Sequence, residues 1–128
     1  MNNPTRNPMQ RARGLGSAKS GIGHWWMQRV TAVALIVLSL WLVCFVLSLL
    51  HGDFAAAHAA LARPWNAVLM IGFVVAAFWH GQLGLQVVIE DYVHSQWLEM
   101  TLMVAIKLLA VLFALAGVLA VLRIALAS

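Results

Sequence analysis

The chain has 128 residues, 63% of them hydrophobic and only 9% charged, and its mean hydropathy is +0.90. Soluble domains carry about 25% charged residues, so this composition excludes a soluble globular enzyme, a disordered chain and a nucleic-acid-binding domain. The net charge of +4 comes from eight Lys and Arg against four Asp and Glu, a surplus whose placement reads as a topology signal. The single cysteine, Cys44, lies in an apolar run, so no disulfide framework is possible.

Residues 1–23 form a polar basic tail that holds Arg6, Arg11, Arg13 and Lys19 and no acid. Residues 24–128 are expected as one transmembrane anchor domain of three helices, at about 25–50, 65–91 and 97–126. The first apolar run, 30–50, has no charge. It is longer than the 7–15 residues of a signal-peptide core and long enough to cross about 30 Å of hydrocarbon. The second run, 65–89, is interrupted by His80, Gln82 and Gln86 and by Gly72, Gly81 and Gly84. The third, from about 100 to 126, carries Lys107 inside it and Arg123 near its end. The linkers are short, at 51–64 and 90–99. An all-α membrane protein is the economical reading, because a helix satisfies its own backbone hydrogen bonds in lipid.

Orientation follows from the cations. Arg6, Arg11, Arg13, Lys19 and Arg29 lie on the N-terminal side, against Arg63 and Arg123 on the other. The positive-inside rule puts the N-terminus in the cytoplasm, or in its mitochondrial equivalent, the matrix, and three spans then put the C-terminus outside. The short basic tail and the length favour a bacterial inner membrane, with that C-terminus in the periplasm. Trp25, Trp26, Trp65 and Trp97 fall near the expected interfaces. Dinucleotide-binding, P-loop and nucleophile-elbow motifs are absent from the sequence. Chemistry here belongs inside the membrane or at its edge, shared with partner chains.

His80 lies about 14 Å inside the second span, counted at 1.5 Å per residue from its cytoplasmic end. An imidazole at that depth needs a metal or a hydrogen-bond partner. Both readings stand on position alone: an axial ligand, or a histidine bonded to a neighbouring helix. Gly81 and Gly84 would let a flat macrocycle approach, and they would equally serve helix packing. Asp91 follows His80 by eleven residues, which is about 20° past whole turns and roughly 16 Å along the axis. The two therefore share a face if the helix persists. Tyr92 beside it offers a phenol O–H to a carbonyl oxygen, or is an ordinary helix-end aromatic. Arg29 suits a carboxylate, or anchors at the interface with His24 nearby. Lys107 is expected to snorkel or to pair with Glu90, Asp91 or Glu99. His51, His58 and His94 read as solvated loop residues. With one intramembrane histidine in this chain, a haem held by two histidines needs its second ligand from another.

The segment HGQLGLQVVIEDY, residues 80–92, resembles the signature of the succinate dehydrogenase hydrophobic membrane anchor family, with a His, ten residues and then Asp-Tyr on the second of three helices. The stretch GSAKSGIGHWWMQRVTAVAL, residues 16–35, resembles its alphaproteobacterial and mitochondrial-type branch. The resemblance covers nearly the whole chain. It implies a bundle shared with a second, cytochrome b556-type anchor subunit. It implies that His80 is one axial ligand of a b-type haem held between the two anchors. Tyr92, with Asp91 close by, would bind ubiquinone as substrate, and His24 and Arg29 would lie near the haem propionates. A flavoprotein and an iron–sulfur subunit would dock on the cytoplasmic side and deliver electrons from succinate, so the chain would not be an enzyme on its own. The competing reading is a cofactor-free scaffold or assembly subunit with a hydrogen-bonded His80. A transporter would want ionisable residues along a whole pathway, whereas here they gather toward one end.

Overall fold

A computed structural model describes residues 21–127, and they are almost wholly helical. The order is α1 (Gly21–Ser48), α2 (Phe54–Ala62), α3 (Pro64–Tyr92) and α4 (Gln96–Leu126). The basic residues of the tail expected at 1–20 lie outside the described residues, while residues 21–23, expected as its last part, already form the first turn of α1. Three helices are long and apolar enough to cross a membrane, with mean hydropathies of 2.8 for α1, 1.7 for α3 and 2.7 for α4. At 1.5 Å per residue each runs to about 42–47 Å, beyond the roughly 30 Å hydrocarbon core.

The least apolar span is the central one. Helix α3 packs against α1 on one side and α4 on the other, and α1 and α4 do not touch among the described residues. The spans thus form a single layer with α3 in the middle. Closest approaches fix the register of each antiparallel pair. On the α1 side, Gly72 faces Leu38 and Gly84 faces Gln28. On the α4 side, Gly117 lies under Val74, and Phe78 stacks on Phe113 at 6.1 Å between ring centroids. Small residues at these points let the backbones close up, which is how helices associate where lipid removes the hydrophobic drive.

The 51–64 linker holds a helix that the sequence reading did not foresee. Asp53 starts α2, its Oδ1 accepting a hydrogen bond from the Ala56 N–H at 2.8 Å. Such a cap satisfies a free end donor, and alanines extend the turn readily. Arg63 then takes an extended conformation and Pro64 opens α3, where its missing N–H costs nothing. The Asn66 side-chain amide donates to the Ala60 carbonyl at 2.8 Å and ties the two helices together. His58 therefore sits on α2, half-buried and tilted against Phe54, and not in a loop.

The core is thin. Thr31, Ala67, Leu83 and Val121 are the buried residues among those described. Large apolar side chains point outward along all three spans, as expected where lipid and partner chains supply the rest of the packing.

Candidate functional site

The polar residues of α1 and α3 meet between the two helices. On α1, His24, Gln28 and Thr31 follow at i, i+4 and i+7 and make one stripe. On α3, His80 and Gly84 stand one turn apart and face it. His80 Nδ1 lies 3.0 Å from Thr31 Oγ1. The same hydroxyl lies 2.8 Å from the Met27 carbonyl and 3.2 Å from that of Gln28. The other ring nitrogen of His80 has no hydrogen-bond partner among the described residues. One turn away, Gln28 lies across the bare backbone of Gly84, its Nε2 3.8 Å from where a Cβ would sit. His24 Nε2 and Gln28 Oε1 are buried there without a partner.

On the α4 side of α3, away from Thr31, the surface at Gly81 is open. A Cβ added at Gly81 would meet nothing within 4 Å. A groove of about 360 Å³ runs past it between α3 and α4, lined by Ala77, Phe78, Leu85, Ile106 and Phe113 among others. Among the described residues no group of three His, Cys, Asp or Glu gathers, so a metal held by His80 must find its remaining ligands elsewhere. A haem iron, whose equatorial positions the macrocycle fills, asks for one residue from this chain. The unpartnered ring nitrogen of His80 is a donor of the kind that group takes.

Helix α3 continues unbroken through Asp91 and Tyr92, so Asp91 shares the face of His80. Both end residues are exposed. They lie at the end of the bundle where α1 begins. Arg29 is exposed there too, its guanidinium 5.0 Å from the centre of the Trp25 ring, a cation–π contact. His24 is half-buried between the helices. The structure thus joins His80 to α1 directly and brings Asp91, Tyr92, His24 and Arg29 to one end without a bond between them.

A family model described as "Succinate dehydrogenase/Fumarate reductase transmembrane subunit" matches residues 3–116. The chain belongs to this family. Curated relatives agree. It is 40% identical over 116 residues to the succinate dehydrogenase hydrophobic membrane anchor subunit of Rickettsia bellii, covering 91% of this chain and 93% of that one. It is 32% identical over 97 residues to the succinate dehydrogenase membrane anchor subunit of Reclinomonas americana, covering 73% and 80%. To the Paracoccus denitrificans hydrophobic membrane anchor subunit it is 34% identical over 85 residues, or 66% of each chain. No solved structure matches the chain. As a member of this family it is a multi-pass anchor subunit of the inner membrane.

Two features of this anchor escaped the sequence reading. Thr31 and Gln28 face His80 and Gly84, and the signal was available: a polar stripe at helical spacing on an otherwise apolar helix. Of the two arrangements expected of Lys107, the ion pair is not formed: Lys107 makes none with Glu90, Asp91 or Glu99. It is exposed and borders a groove with Val75, Trp79 and Gln82. Glu90 instead accepts from Gln86 Nε2 at 2.8 Å, and Gln82 donates to Gln86 Oε1 at 3.3 Å. That ladder runs one turn per step along a face of α3 away from His80.

Proposed function

We propose that this anchor holds one axial face of a b-type haem through His80 and helps bind ubiquinone through Tyr92 and Asp91, passing electrons of succinate oxidation to quinone. The observation that carries the reading is at His80: one ring nitrogen is engaged by Thr31 and the other has no partner among the described residues. An imidazole nitrogen without a partner inside a span asks for a metal or a hydrogen-bond partner from outside the chain. The second ligand comes from a cytochrome b-type anchor subunit packed against this layer. When bound, the haem supplies a one-electron redox centre whose potential is set by its axial ligands, burial and nearby hydrogen bonds.

The remaining residues act by position and charge. Arg29 offers a fixed cation to the propionate carboxylates, and His24 Nε2 is a further polar atom free for an anionic oxygen or a water. The Tyr92 O–H donates to a quinone carbonyl oxygen, and the Asp91 carboxylate orients that phenol or relays a proton. With the N-terminus in the cytoplasm, iron–sulfur and flavoprotein subunits dock at the end that carries Asp91 and Tyr92. The anchor domain then begins with α1, at Gly21.

The test is a reduced-minus-oxidised visible spectrum of complex purified through a tag on this chain, for the native sequence and for His80→Ala. A b-type spectrum with co-purifying dehydrogenase chains, altered or lost in the variant, is the expected result. An unchanged spectrum in His80→Ala removes His80 as ligand. A haem-free preparation without dehydrogenase chains favours the scaffold reading.

A further inference from the structure

The Thr31 hydroxyl has one proton and three polar neighbours. Met27 O is the nearest, at 2.8 Å, then His80 Nδ1 at 3.0 Å and Gln28 O at 3.2 Å. Two oxygens 2.8 Å apart repel unless a proton lies between them, and a carbonyl has none to give. The hydroxyl proton is therefore committed to Met27 O, the usual back-bond of a helical threonine. What remains on Oγ1 is lone pairs. His80 Nδ1 must then carry the proton of the pair and donate to Oγ1, which leaves Nε2 unprotonated with its lone pair free.

Thr31 is also the one buried polar residue described, at 8% exposed, so water does not compete for its oxygen. The bond crosses 49 positions of sequence and joins two helices that Leu38 against Gly72 and Gln28 against Gly84 hold in register. The ring is oriented by the chain itself, before any second subunit arrives.

We infer that Thr31 is the positioning residue of the haem site: its hydroxyl accepts from His80 Nδ1–H, fixes the ring in the tautomer that presents Nε2, and makes that nitrogen a stronger electron donor to a metal. This rests on the reading of His80 as haem ligand. Partners of this kind to a ligating histidine fix its tautomer, and their loss costs about 10–100-fold in metal affinity or activity. A ligand that donates more strongly favours the ferric state, so the Thr31 hydroxyl would hold the haem potential down.

The experiment is an optical redox titration and a low-spin EPR spectrum of the assembled complex, for the native chain and for Thr31→Val, Thr31→Ser and His80→Ala. Valine keeps the shape of threonine and removes the acceptor. It is expected to move the haem midpoint to more positive potential, to shift the EPR signal and to weaken haem retention about tenfold or more, while serine restores all three. If the valine complex keeps native potential and EPR while His80→Ala loses the low-spin signal, the Thr31 inference fails and ligation by His80 stands. If His80→Ala leaves the signal unchanged, the ligand reading fails first. Where valine does not assemble, the same spectra are taken on Thr31→Ala. Assembly and native spectra in serine alone support the hydroxyl, and failure of serine as well shows a packing role and overturns the inference.

Discussion

Tyr92 ends α3 with 78% of its surface exposed. A side chain so exposed contributes little to packing, and surface substitutions of this kind change stability by within about 0.5 kcal/mol. Its value lies in the O–H. Tyr92→Phe is therefore expected to leave assembly and thermal stability intact. It should lower quinone reduction about tenfold, the worth of one hydrogen bond at the upper end of its range. Succinate oxidation by a soluble dye should be spared. Parallel assays of the two activities on the same preparation check this, and equal loss of both would point to assembly. That Asp91 shares the face of His80 was legible in the sequence, because the spacing of the two is a local property of one helix. The stripe of His24, Gln28 and Thr31 is equally local, but the partner of Thr31 comes from another helix 49 positions away and is not.

At the scale of helices, glycines of similar appearance in sequence divide into tight and loose contacts. A Cβ on Gly117 would lie 2.8 Å from Val74 Cγ1, and a β-branched side chain in a helix has one strongly preferred rotamer with which to yield. A Cβ on Gly72 would meet Leu38 at 3.8 Å, an ordinary contact. Overpacking costs about 1–3 kcal/mol, more than the roughly 1 kcal/mol that alanine gains over glycine in a helix. Gly117→Ala is expected to separate α3 from α4 and lower the temperature at which the detergent-purified complex dissociates. Gly72→Ala should match the native complex or exceed it. Differential scanning of the two variants decides, and equal behaviour would mean that the α3–α4 approach relaxes freely. The short α2 also belongs to this scale. Asp53, the alanine run and Pro64 are recognisable start and stop signals, but nine residues between two spans are easily passed over as a connection.

The whole molecule is a layer one helix thick. Its few buried residues, Thr31, Ala67, Leu83 and Val121, sit where α3 meets its neighbours, and the broad outer faces depend on lipid and on other chains. With His80 as its one intramembrane histidine, the chain by itself lacks a second axial ligand for haem. Expressed alone, it is expected to give no bis-histidine low-spin haem signal, and co-expression with the cytochrome b-type anchor should restore it. A fully haem-loaded homo-oligomer in the optical spectrum would contradict shared ligation.

Run length and the period of a helix are local, so the sequence alone determined the three spans and the shared face of His80 and Asp91, and the 80–92 motif pointed to the family. How α1 is rotated against α3, which glycines are tight and which ring nitrogen of His80 stays free were decided only by the tertiary structure. The physical reason is the solvent: in a bilayer an apolar face is equally content against lipid or helix. An almost uniformly apolar surface therefore carries little record of its partner. The packing is set by a few small and polar residues, such as Gly84 under Gln28 and Thr31 at His80, whose meeting no local pattern announces.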